Sequence, residues 1–304
     1  MAKTAFHSQW VAGRQVIVDT NLTTGNIFFV HSGTGTDATG YGRGPDKPYA
    51  GLNYAFAACT ANQGDRIYLM PGHAETVATA GAIATACADV HVHGIGSGIN
   101  RAIITFDGGG IVPGVDINID HAGVCFNNII FYNTEDAAAA PLDVNASDCR
   151  IRDCLFWDAG ADNTLTWVDV AAAGDRFHMQ DCLNHGTLTA GNVAFITISG
   201  ACEHLHIQDC TSDGDFSAGN IILTAAATDT KIVGNFLTNV NAVDVNIEGF
   251  AACSGVVADN RCRIPTDAQT TWINTPGGWS LYNNWGVNQD GEAGMEILGN
   301  GRSA

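Results

Sequence analysis

The chain is poor in cations. Of 304 residues, 13 are Lys or Arg against 31 Asp or Glu, a formal charge of −18. A phosphate-binding face needs clustered Lys and Arg, so the balance speaks against nucleic acid and against an anionic membrane as partners. No apolar run approaches the ~18 residues that cross a bilayer. The opening Met1-Ala2-Lys3-Thr4-Ala5-Phe6-His7-Ser8-Gln9-Trp10 lacks the apolar stretch of a secretion leader. The expectation is therefore a chain made and folded in a cytoplasm. Proline is scarce (7 residues) while glycine is abundant (36), which suits many tight bends that need a left-handed backbone. Ten cysteines include no C-x-x-C pair to close a tetrahedral metal site, so free thiols are expected. Neither a phosphate loop, nor H-E-x-x-H, nor a Ser-His-Asp order is present, which removes nucleotide, zinc-protease and triad chemistry.

What the chain does contain is a phrase repeated at nearly constant spacing. Phe126-Asn127-Asn128-Ile129, Ile151-Arg152-Asp153-Cys154, Met179-Gln180-Asp181-Cys182, Ile207-Gln208-Asp209-Cys210, Val233-Gly234-Asn235-Phe236, Val257-Ala258-Asp259-Asn260 and Leu281-Tyr282-Asn283-Asn284 each place an apolar residue two before an Asp or Asn. Those Asp/Asn positions step by 25, 28, 28, 26, 24 and 24 residues. A period of this length, with short β-type runs between, predicts a solenoid whose turns each hold three strands and three bends. Strands are expected at Leu142-Asp143-Val144, Trp167 to Val170, Phe195 to Ile198, Ile221 to Leu223, Val243 to Ile247 and Trp272-Ile273. In Val243 to Ile247 the alternation puts Asp244 and Asn246 on the outer face. Cys154, Cys182 and Cys210 hold one place in three successive turns, which predicts a buried file of small side chains.

The expected organisation is an N-terminal arm over 1–25, a solenoid over 26–285 and a C-terminal cap or tail over 286–304. Residues 26–30 read as a strand, Ser32 to Tyr49 as a long Gly/Asp loop, and Ala50 to Cys59 as a short helix closing the open end of the stack. This order, followed by Gly64-Asp65-Arg66-Ile67-Tyr68-Leu69-Met70-Pro71-Gly72, resembles the entry of pectin-lyase-like right-handed parallel β-helix proteins. Within that superfamily the chain is similar to β-helix proteins encoded among bacteriophage structural genes. The resemblance covers about 26–285 and speaks to fold far more than to activity, because lyases, hydrolases, tailspikes and inert scaffolds share it.

Several residue sets invite a functional reading. Asp153, Asp181 and Asp209 would stack one rung apart, repelling by roughly 3–4 kcal/mol per neighbouring pair at an effective dielectric near 20. They must face water at a bend, share protons, or hold a cation such as Ca²⁺. The bend ladder is the simpler reading, because Asn fills the same place in other turns. Adjacent-rung carboxyls also meet the ~5–9.5 Å spacing of a glycosidase pair, but any β-helix offers that spacing. No polygalacturonase-type or lyase-type set is complete, so no catalytic residue and no cofactor are assigned. Arg150, His178 and His206 fall on equivalent outward positions and form an anion-contacting or pH-sensitive stripe, or an ordinary solvated one. Trp272, Trp279, Tyr282 and Trp285 cluster in the last turns as an end plug, a subunit contact or a glycan platform.

Together with the resemblance, these features lead to an expectation: a non-enzymatic virion protein. It would decorate or cement the exterior of a phage head, assembled in the host cytoplasm. Its partner would be the major capsid protein, and its own state a homotrimer. Attachment would use Phe6, Trp10, Val16 and Ile17 of the arm, or strand addition through Ile27, Phe28 and Phe29. The alternative is a receptor-binding tailspike or polysaccharide depolymerase acting on host surface glycans.

Overall fold

In a computed structural model the chain winds into one parallel β-helix of about eight turns with one short α-helix. The structure describes residues 8–11, 14–17, 23, 25–109, 114–159, 164–188, 191–241, 245–263, 272–276, 278–287 and 295–296. Three sheets run the length of the stack, with ten, ten and eight strands among the described residues. One turn shows how sequence becomes rung. Arg150–Arg152 lies in the first sheet, Asp153-Cys154 makes a sharp bend, and Leu155–Asp158 lies in the second sheet. A longer connection then leads to Thr166–Val170 in the third sheet. The next turn begins at His178–Gln180, with Ile151 registered on Met179 and Met179 on Ile207.

The strand at Leu142–Val144 matches the sequence expectation residue for residue, and those at Thr166–Val170, Ala194–Ile198 and Ile221–Leu223 match within one residue. Of the stretch Val243 to Ile247, residues 242–244 lie outside the described set, and the strand is Ile247–Glu248. Asn246 does not face outward as the alternation implied. It is fully buried, accepting a hydrogen bond from Asn220 and donating one to the Arg263 carbonyl. A polar bend inside the wall overrode the period-two pattern there.

The interior fills because one residue in two on each strand points inward. Phe106, Phe131 and Phe156 stack rung on rung, the last two with centroids 5.3 Å apart, and Trp167 and Phe195 meet Phe156 edge-on. Burying such rings contributes on the order of 2–3 kcal/mol each. The helix, Leu52–Ala58, packs Leu52, Ala55 and Phe56 over the first rung. Its N-terminus is capped from outside: the Glu75 carboxylate accepts the Leu52 N–H at 2.8 Å. Glu75 in turn meets the buried His73 at 3.2 Å.

The hairpin Ser8–Val11 with Arg14–Ile17 pairs antiparallel with itself as a separate two-stranded sheet. At the C-terminal end of the stack, the second sheet continues through Trp285–Val287, on which Met295–Glu296 pairs antiparallel.

Candidate functional site

The repeated Asp/Asn is first a backbone device. Asn128, Asp153, Asp181, Asp209, Asp259 and Asn283 all adopt the left-handed conformation, with φ between 52° and 57°. Asn and Asp tolerate that region better than other side chains bearing a Cβ. In the remaining turn the place belongs to Gly234, at φ 73°, rather than to Asn235. Asp153, Asp181 and Asp209 stand exposed at the bend. Among the described residues no group of three or more His, Cys, Asp or Glu could hold a metal ion.

The residue after each bend points inward, and those residues form a continuous file. Ile129, Cys154, Cys182, Cys210, Asn235, Asn260 and Asn284 are all buried. The thiols of Cys154, Cys182 and Cys210 donate to carbonyls two residues back, at 3.1–3.3 Å. The asparagines pass hydrogen bonds from rung to rung: Asn235 Nδ2 donates to Asn260 Oδ1 at 2.9 Å, and Asn260 Nδ2 to Asn284 Oδ1 at 3.0 Å. Asn235 was thus assigned to the wrong file from sequence, one step from its true place. All described cysteines are free thiols. Burial pushes Cys125, Cys149 and Cys202 up to about 11 and Cys59 to about 12, so these sulfurs are poor nucleophiles.

The outer face of the first sheet carries the stripe expected from sequence and extends it. Arg150, His178, His206 and Lys231 occupy registered positions on consecutive strands. The two imidazoles stack at 4.9 Å with planes 8° apart. Burial, then the charges of Arg152, His206 and Arg150, hold His178 down at about 4. Burial and Lys231 lower His206 as well. Both rings are therefore uncharged at neutral pH, and Arg150 and Lys231 supply the exposed charge.

The third sheet carries a carboxyl file that the sequence reading did not single out. Asn118, Asp143, Asp169 and Thr197 are registered on one another, with Asp116 and Asp120 beside them. Asp143 and Asp169 hold their protons more strongly than usual, through burial first, with Asp120's charge adding to it at Asp143 and Asp143's at Asp169. Asp116 is raised likewise, against the opposing hydrogen bond from Gly81 N–H. Donors stand alongside: Asn145 Nδ2 reaches both Asp120 and Asp143 at 3.1 Å, and Ser199 Oγ reaches Asp169 at 2.9 Å. Such a row can exchange protons with, and hydrogen-bond, a polyhydroxylated chain lying along the stack. The available signal was an acid centred in an apolar strand, as in Leu142-Asp143-Val144 and Val168-Asp169-Val170.

The other candidate residues separate. Phe6 lies outside the described residues, and Trp10, Val16 and Ile17 belong to the strands of the hairpin. Phe28 is buried, with Arg43 4.4 Å over its ring. The edge of its strand is not open for strand addition: Phe29 N–H donates to the Gly42 carbonyl and Tyr49 N–H to the Phe29 carbonyl. The long Gly/Asp loop of residues 32–49 covers that edge and satisfies its backbone. The late aromatics form no common platform. Trp272 is buried in the core and Trp279 packs against it. Tyr282 and Trp285 are exposed on different sheets.

Fold and sites together define a parallel β-helix with a basic and an acidic sheet face. No family model and no curated protein matches the chain. A solved structure described as a rhamnogalacturonan lyase is similar over 90% of this chain and 90% of its own, with 9% sequence identity and a TM-score of 0.43.

Proposed function

We propose that the protein is a structural virion component, fixed to the outside of a phage head as a decoration or cement protein. Its partner is the major capsid protein, and assembly takes place in the host cytoplasm. The reading rests on the resemblance to phage-encoded β-helix proteins. It is supported most by one observation: nearly all described residues belong to one closely packed solenoid, beside a hairpin at 8–17 that pairs with itself. A rigid body with a short separate element suits a part that adds binding free energy at many symmetric positions at once. Ten free thiols in the wall and core fit assembly where thiols stay reduced. Copy number in purified particles tests the reading. Hundreds per particle are expected, whereas a few tens or fewer place the protein on a tail or vertex.

The carboxyl file of the third sheet favours a second reading, a tailspike or depolymerase acting on surface glycans. Two half-buried acids with raised proton affinity on adjacent rungs match the ~5 Å spacing of a retaining glycosidase pair. Incubation with host capsule or lipopolysaccharide separates the two. Release of reducing ends or unsaturated sugars, lost in Asp143→Asn, supports the enzyme.

A further inference from the structure

The second sheet presents an outer face unlike the other two. Its outward file runs through Ile103, Ile130, Leu155 and Leu183, each registered on the next, with Ile130 itself buried and the other three half-buried. It continues through Thr211 to Phe236, which is 46% exposed. In the neighbouring file Tyr132 and Trp157 meet edge-on at 5.9 Å, and Trp157 is 50% exposed. Inward positions on these strands are filled by Phe131 and Phe156, so the apolar outer residues are not serving the core. A sheet wall solvated on one side ordinarily alternates apolar with polar. Here both sides are apolar over several consecutive rungs.

We propose that this face is covered by a second copy of the chain lying alongside. Charge is the first argument. In a protein with 31 acidic residues, the outward strand positions of this face from Ile103 to Val287 carry one carboxylate, Asp213, and two cations, Arg261 and Arg263, both near its far end. That carboxylate shares a hydrogen bond with His185 at 2.9 Å. The third sheet bears the acid file and the first the basic stripe, so like copies repel least through the second. Size is the next argument. Nine parallel strands at ~4.8 Å spacing, each about four residues long, give a face of roughly 40 Å by 13 Å, on the order of 500 Å² per copy before the bends are counted. Crystal-packing contacts mostly fall below about 400 Å² per partner, and specific pairs reach about 800 Å². The last argument is periodicity. An apolar file repeating once per rung is matched along its length by a surface with the same repeat, and another copy of this solenoid has it. The inference is independent of where the protein acts, because it concerns the free protein.

Sedimentation velocity and light scattering over a range of concentrations test it. The wild type should show a discrete multiple of the 31.8 kDa chain. Leu155→Asp with Leu183→Asp should weaken association by at least about tenfold, in line with the loss of central apolar contacts. Trp157→Ser, at a half-exposed position, gives a second variant that leaves the interior untouched. Lys231→Glu, on the first sheet, should leave the mass unchanged. Circular dichroism confirms that each variant is folded. A wild type that stays monomeric at tens of micromolar overturns the proposal, including one that uses this face to bind capsids instead. So does an oligomer that survives both second-sheet variants.

Discussion

Asn260 is the joint through which the lower turns are held in register, and replacing it should cost more than its size suggests. Its Oδ1 accepts the Asn235 backbone N–H at 3.0 Å and the Asn235 Nδ2 at 2.9 Å. Its Nδ2 donates to the Ile232 carbonyl at 2.9 Å and to Asn284 Oδ1 at 3.0 Å. Every partner is buried. Asn260→Ala removes the side chain, leaves the Asn235 N–H without its partner in a dry wall, and takes a donor each from the Ile232 carbonyl and Asn284 Oδ1. An orphaned donor costs about 1–3 kcal/mol and each further lost bond about 0.5–1.5 kcal/mol, so the loss should be roughly 3–5 kcal/mol. Asn260→Cys should cost less, because Cys154, Cys182 and Cys210 fill the same place upstream and satisfy a carbonyl two residues back. Urea unfolding followed by tryptophan fluorescence gives the totals. Amide exchange at residue 235 gives the local effect, which matters because solenoid turns can open separately. An Asn260→Ala protein within about 1 kcal/mol of wild type, with unchanged exchange at 235, would refute the account of this file as a hydrogen-bonded ladder.

Other expectations follow from the same geometry. Asp158 is buried, accepts hydrogen bonds from Thr164 and Asn133, and is pushed up to about 6, mainly by burial. A raised folded-state value means the folded chain binds the extra proton, so this group's contribution falls as pH rises from about 4 to 6 and is flat above. Relative to wild type, Asp158→Asn should therefore gain about 2 kcal/mol between pH 4 and pH 7, measured by denaturant titration at both; a pH-independent difference would contradict it. Asp181 sits at φ 53°, so Asp181→Val should destabilise by about 1–2 kcal/mol while Asp181→Gly stays close to wild type; equal thermal midpoints for the two would show that the bend is not conformationally demanding. Phe156→Ala, in the middle of the ring stack, should cost about 3–5 kcal/mol and lower the thermal midpoint by several degrees. Deleting residues 1–20 should leave a soluble β-helix that no longer decorates capsids, and undiminished decoration would remove the arm from the attachment role.

Much of the architecture could be read from residue spacing because a solenoid repeats one local problem. Each sharp bend needs a residue that tolerates a left-handed backbone, and Asp or Asn marks it in Asp153, Asp181, Asp209 and Asp259. The reading slipped by one at Gly234-Asn235, since Asn can serve either as the bend residue or as the buried ladder residue after it. Sequence does not distinguish those uses. It also could not tell that Phe29 has its backbone groups tied to Gly42 and Tyr49, because those contacts come from a loop with no strand pattern of its own. The acid file escaped notice for another reason. Asp143 and Asp169 are separated from the bend phrases by connections of varying length, so their alignment shows only when the third sheet is assembled.

The amino-acid order by itself determined the rung. It set which residues bend, which turn inward, and that Cys154, Cys182 and Cys210 would lie in one buried file, because period and backbone preference are local properties. Only the tertiary structure decided how most outward residues become neighbours. Stacking brings together side chains some 25 positions apart; it extended the expected Arg–His stripe to Lys231, aligned the acids of the third sheet, and left the second an outer face that is mostly apolar from Ile103 to Leu183.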